Sequence, residues 1–252
     1  MATIESIVSY LDRELDVAAF PDDSHNGLQV ANSGVCRRIA VGVDASLAFF
    51  KRAAERKADL MICHHGISWG DSLKRITGLN YRRVQYLMEH DLALYACHLP
   101  LDAHPTLGNN AQIVRALGLR GVKPFGMYHG RKIGYRGVLP QAMPYADFKQ
   151  RAKGVFGNMV CTMDFGKRTV RTVAVVSGGA AAEIAEAGQE GIDVYVSGEA
   201  NLMARNLAEE YGINALFAGH YATETFGVKA VAARLRKRFR LPVEFIDMGI
   251  RL

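Results

Sequence analysis

Three apolar residues in "LMICHHGISW" (60–69) run directly into Cys63, His64 and His65, and a glycine follows. Three more apolar runs end in polar donors. "LALYACHLPLD" (92–102) ends in His98 and then Asp102. "DVYVSGE" (193–199) ends in Ser197, Gly198 and Glu199. "NALFAGHYATE" (214–224) ends in His220 and then Glu224. Imidazole and carboxylate together suit borderline divalent metals such as Zn, Fe, Mn, Ni or Co. One ion takes three or four protein ligands, so five or six donors suit two ions about 3.5–4 Å apart with a bridging carboxylate. Asp102 or Glu224 is the expected bridge, with Asp102 favoured. Neighbouring side chains on a strand point to opposite faces. At a strand's last residue, followed by Gly66, both imidazoles can swing into one pocket. His98 is expected as a ligand, a donor to a ligand, or a general acid or base. Glu199 either joins the site or caps the helix after it. A lone histidine at a strand end is more often packed or capping; the recurrence after several apolar strands carries the reading. His25, His90 and His129 lack that context and read as structural or surface residues. His104 belongs to the turn "AHPTLGNN".

The elements that must position these donors alternate between strand and helix. Strands are expected at Ile39–Val43, Asp59–Cys63 and Leu92–Cys97, and helices at Ser46–Lys57 and Tyr81–Glu89. This implies parallel strands joined by crossover helices. The pattern recurs. "IAVGVDASLAFFKRAAERKADLMICHHG" from Ile39 aligns with "VAVVSGGAAAEIAEAGQEGIDVYVSGEA" from Val173, at an offset of 134 (173 − 39) that sets Asp59 on Asp193 and His65 on Glu199. A second offset of 122 (214 − 92) sets His98 on His220 and Asp102 on Glu224. The expected fold is α/β: two related lobes with mainly parallel sheets and a metal site between them. The first lobe is expected over 1–124, a hairpin-rich connection with a helix near Tyr145–Lys153 over 125–170, and the second lobe over 171–252. Ligands in such sheets gather at the carboxyl ends of the strands.

The totals exclude several classes. The chain has 252 residues, 49% of them hydrophobic, with 25 glycines, 7 prolines and a net charge of +6. Four cysteines without C-x-x-C spacing read as reduced thiols in a cytoplasmic protein. The N-terminal stretch reads as an amphipathic helix with Ile4, Ile7, Val8, Leu11 and Leu15 apolar, not as a signal peptide, and no stretch approaches a membrane span. The basic run "RLRKRFR" (234–240) reads as a solvated helix face, or otherwise as an anion or nucleic-acid patch. "SGG" (177–179) reads as a helix start whose amides could hold an anion, and the basic loop "HGRKIGYR" could hold phosphate groups. There is no P-loop and no G-x-S-x-G.

The stretches "NGLQV", "CHHGISW", "CHLPLDAHPTLGNNAQ", "DVYVSGE" and "AGHYATE" resemble, in order and over nearly the whole chain, the YbgI-like proteins labelled GTP cyclohydrolase 1 type 2 homologues. The resemblance implies a two-lobed subunit with a dinuclear metal site, assembled into a ring-shaped hexamer. It places the ligands on His64, His65, Asp102, His220 and Glu224, with His98 beside them. The chain departs from the pattern at Gly66, often proline in the family, and after "SGE", where "ANLMARN" replaces frequent histidines. The family label does not carry a mechanism, because well-understood GTP cyclohydrolases use a cysteine-containing zinc site that this chain lacks. Three functions follow as expectations. The first is a metal-dependent hydrolase acting on a nucleotide or other small phosphorylated compound, with His98 moving a proton. The second is a non-catalytic metal-binding, metal-delivery or scaffold protein. The third, a ring that engages nucleic acid, is the weakest.

Overall fold

The computed structural model describes residues 2–252. The chain divides into two compact units, Met1–Leu101 with Gly227–Gly249 and Asp102–Phe226 with Ile250–Leu252. The divisions therefore fall at 101/102, 226/227 and 249/250, whereas the sequence suggests 124 and 171. Two features move them. Helix His220–Phe239 carries the chain back to the first unit, where strand Val243–Phe245 pairs in parallel with Ile39–Asp44. The hairpin Arg120–Tyr128 and Arg131–Pro144 is no connector, since its second strand pairs with Thr169–Val175 and extends the second unit's sheet.

In the first unit five strands run in the order Val243–Phe245, Ile39–Asp44, Leu60–His65, Ala93–Ala96, Gly27–Val30. The first four are parallel and the last is antiparallel. Helix Leu47–Glu55 starts where the Ser46 side chain accepts a hydrogen bond from the Phe49 amide. Its Phe49 and Phe50 are fully buried with Met61, Leu87 and Leu94. Each such side chain contributes roughly 1.5–3 kcal/mol of burial. Helix Ile4–Leu15 buries Ile4, Ile7, Leu11 and Leu15, on the expected stripe.

The second unit holds six strands in the order Arg120–Tyr128, Arg131–Pro144, Thr169–Val175, Val194–Ser197, Asn214–Phe217, Cys161–Asp164. The parallel core is Thr169–Val175, Val194–Ser197 and Asn214–Phe217; the flanking pairs are antiparallel. Helix Tyr145–Phe156 covers the expected position, with Phe148 buried against Val170 and Val173.

The internal echo is physical. Asp59 accepts backbone hydrogen bonds from Arg37 and Arg38, at 2.6 and 3.0 Å. Asp193 accepts from Arg171 and Thr172, both at 2.9 Å. In each unit a carboxylate just before the second core strand anchors the same register of the first. Burial would raise the Asp193 carboxyl, but Lys167 and these amides hold it below the usual carboxylate range. Among the described residues no helix is long and apolar enough to cross a membrane.

Candidate metal centre

Parallel register places the first pair. Asp44 and His65 stand opposite each other at the carboxyl ends of Ile39–Asp44 and Leu60–His65. The Asp44 carboxylate meets His65 Nδ1 at 2.8 Å. The strand continues through both histidines, and His64 is fully buried, its Nδ1 3.0 Å from the Cys97 carbonyl. Strand alternation does not keep the rings apart at this last position: their centroids are 4.7 Å apart. Gly66 serves a purpose other than a soft turn. A Cβ there would stand 2.2 Å from Gln29 Oε1, which accepts the Ile67 and Ser68 amides. The turn after the histidines is thus held by the Gln29 side chain, which would have to shift to admit a larger residue at 66.

His98 follows strand Ala93–Ala96. Its backbone amide donates to Asn26 Oδ1 at 2.8 Å, and its Nδ1 lies 3.0 Å from Asp22 Oδ1. Burial would raise the Asp22 carboxyl, but His98, Asn26 and the Ser24 amide hold it down at about 2. Trp69 packs edge-on against His98 with centroids 4.9 Å apart. Ring nitrogens of His64, His65 and His98 all lie within 4.8 Å of one another, close enough to share an ion.

The second unit gathers an imidazole and carboxylates around one turn. Asp102 is buried and accepts from Ser177 Oγ at 3.0 Å and from Asn109 Nδ2 at 2.9 Å. Asn110 accepts the Ser177 amide at 2.7 Å. The next residue, Gly178, leaves no room for a side chain: a Cβ would stand 2.4 Å from Glu224 Oε1 and 3.3 Å from His220 Nε2. The 177–179 turn therefore touches Asp102 through Ser177 and lies against Glu224 and His220 at Gly178. It is no helix start, because the following helix begins at Ile184. Backbone φ is +70° at Gly178, so the chain turns back there and cannot yet wind into a helix.

His220 and Glu224 open helix His220–Phe239, one turn apart, with Nε2 and Oε1 at 3.0 Å. Glu199 meets His220 Nδ1 at 2.6 Å; the helix after it is capped by Asn201 instead. Burial would lower the His220 pKa, but Glu224 and Glu199 outweigh it and raise it to about 9. His104 accepts the Leu107 amide at 2.9 Å, the turn role expected of it.

One rule covers the four strand-end histidines. Each Nδ1 faces an oxygen acceptor: the Cys97 carbonyl, Asp44, Asp22 and Glu199. With Nδ1 so engaged, Nε2 of His64, His65 and His98 is the nitrogen set for a metal or a proton, whereas His220 Nε2 also faces the Glu224 carboxylate at 3.0 Å. Buried carboxylates, imidazoles of set tautomer and the absence of thiolate donors from the set fit borderline divalent ions. Sequence reasoning missed the orienting residues Asp22, Asp44, Asn26, Asn109 and Ser177. The "NGLQV" and "GNNAQ" stretches were the available signal for Asn26 and Asn109.

Residues 2–249 match the model of the Duf34/NIF3 (NGG1p interacting factor 3) family. A Deinococcus radiodurans protein described as a GTP cyclohydrolase 1 type 2 homolog is 44% identical over 243 residues, covering 96% of this chain and 92% of that one. Two solved structures are similar throughout. The protein ybgI has a TM-score of 0.93 at 32% identity, covering 99% of this chain and 100% of its own. A Thermus thermophilus protein, TTHA1606, has a TM-score of 0.90 at 37% identity, with the same coverage.

Proposed function

The chain belongs to the Duf34/NIF3 family, and from that premise we propose a dinuclear divalent-metal protein that acts as a metal-dependent hydrolase on a nucleotide or other small phosphorylated compound. The observation that supports this is the shared orientation of the four histidines, each with Nδ1 on an oxygen acceptor, and the His220 Nε2 placed beside the Glu224 carboxylate. His64 and His65 on the first unit, and Asp102, His220 and Glu224 on the second, would hold the two ions, which are Zn, Fe, Mn, Ni or Co. Bound ions would supply Lewis acidity towards a phosphoryl or amidine-like centre and acidify a water nucleophile. The protein's own residues do the positioning. Asp44 holds the His65 ring in place, and Ser177 and Asn109 orient the Asp102 carboxylate. His98, held through Asp22 and Asn26, carries the proton to or from the reacting group. A cytoplasmic ring-shaped homohexamer completes the reading.

Elemental analysis of protein purified without chelator or added metal tests it, beside His65→Ala and Asp102→Ala. About two ions per chain, lost in both variants, are expected. Wild-type content of one or none, unchanged in the variants, would remove the centre and the hydrolase with it. Two ions with no turnover across a panel of phosphorylated compounds would leave metal storage or delivery in its place.

A further inference from the structure

Most of the cations that stand out in the sequence have partners. Lys132 and Arg136 of the 129–136 loop lie 3.6 Å from Glu186 and 2.9 Å from Glu190. In the C-terminal run Arg234 pairs with Glu14 at 2.6 Å, Arg236 donates to the Val243 carbonyl at 2.8 Å, and Arg238 lies over the Tyr10 ring. Three arginines that no motif links are different. Arg115, Arg120 and Arg151 line a single cavity of about 640 Å³ within the second unit, and no acidic residue joins them in its wall. None of the three takes part in an ion pair among the described residues.

The elements explain the convergence. Arg115 sits in the last turn of helix Asn109–Ala116, Arg120 begins strand Arg120–Tyr128, and Arg151 comes from helix Tyr145–Phe156. Arg151 Nη1 is 4.0 Å from where a Cβ of Gly118 would stand, which folds the third charge over the loop between the first two. Leu119, Val122 and Tyr135 supply apolar wall. Three cations around a concavity repel one another and focus a positive field into it, and an anion relieves that cost. Planar guanidinium forks match phosphate oxygens two at a time. The volume lies in the range of small-molecule sites and is concave, where a nucleic-acid backbone would need a continuous track.

We propose that this cavity binds a small molecule bearing a di- or triphosphate group, with an apolar or aromatic portion against Leu119 and Tyr135. The proposal stands apart from the metal reading, because none of these residues belongs to the metal centre.

Calorimetric titration of the full chain with inorganic tripolyphosphate tests it. The proteins compared are the wild type, Arg120→Ala, Arg151→Ala and their double variant. Arg82→Ala, an exposed arginine of the first unit, and His65→Ala are the controls. One site per chain is expected. Each cavity substitution should weaken this site at least about tenfold, and the double variant should abolish it, while Arg82→Ala binds as wild type and His65→Ala keeps the arginine-dependent site. All three cavity arginines are exposed, so melting curves should stay unchanged. No wild-type binding at millimolar tripolyphosphate, or equal weakening by Arg82→Ala, overturns the proposal. Loss in His65→Ala with the arginine variants unaffected also overturns it, by putting the anion on the metal centre. So does binding of single-stranded oligonucleotide, but not tripolyphosphate, through the same arginines.

Discussion

Gly178→Ala separates the architecture of the proposed centre from its ligands. The added methyl would stand 2.4 Å from Glu224 Oε1 and 3.3 Å from His220 Nε2. Ordinary contact begins near about 3.5 Å, so the Glu224 carboxylate must retreat by roughly 1 Å. Displacing a ligand or its support by that much costs about tenfold to a hundredfold in metal affinity. The substitution also strains the backbone, because φ at 178 is +70°. Gly191 supplies the control: its φ is +66°, and nothing lies within 4 Å of a Cβ there. Both alanine variants should lose roughly 1–2 kcal/mol to left-handed strain, lowering Tm by about 2–4 °C per kcal/mol. Only Gly178→Ala should lose metal, read by elemental analysis after dialysis against a weak chelator and by competition with a chromogenic indicator. Equal metal retention in the two variants at matched Tm would refute the reasoning, since Glu224 would then not be held against the 177–179 turn as a ligand.

Three further outcomes follow from the same geometry. In metal-free protein the His220 pKa of about 9 exceeds its unfolded value of about 6.5. Its contribution is therefore complete below about pH 6.5 and lost as pH rises through 9. The stability gap between wild type and His220→Gln in denaturant should be widest near pH 6 and narrowest near pH 10, and a gap independent of pH would contradict this. Burial, with Asp59 nearby, pushes the Cys36 thiol up to about 12, and burial raises the Cys63 thiol well above its usual range. A thiol reagent at pH 8 should thus find half-buried Cys161 first and the other three only on unfolding; rapid native labelling of Cys36 or Cys63 would count against the burial. Asp59→Ala and Asp193→Ala each leave two backbone amides without their acceptor and should cost about 2–4 kcal/mol in denaturant titration, more for Asp193, which also holds Lys167. A loss below about 1 kcal/mol at either would mean water replaces the carboxylate.

The candidate residues for the chemistry, and the kind of scaffold that bears them, are legible in the chain alone. Apolar runs of strand length that end in His64, His65, His98, Asp102, His220 and Glu224 are a local signal, because a buried strand must be apolar and its polar tip has to leave the sheet. The offsets that align Asp59 with Asp193 and His98 with His220 are legible for the same reason. What orients those donors is set only by packing. Asp44 reaches His65 because two parallel strands share a register, and Asp22 reaches His98 across 76 positions of chain. Periodicity reports which face of an element is buried and carries no information about which distant side chain is packed against it. The 177–179 turn shows the same limit: its glycines read locally as a helix start, and only the Glu224 carboxylate lying against Gly178 reveals why no side chain fits there. Arg115, Arg120 and Arg151 belong to three different elements, and only packing of those elements turns separate surface charges into one cavity.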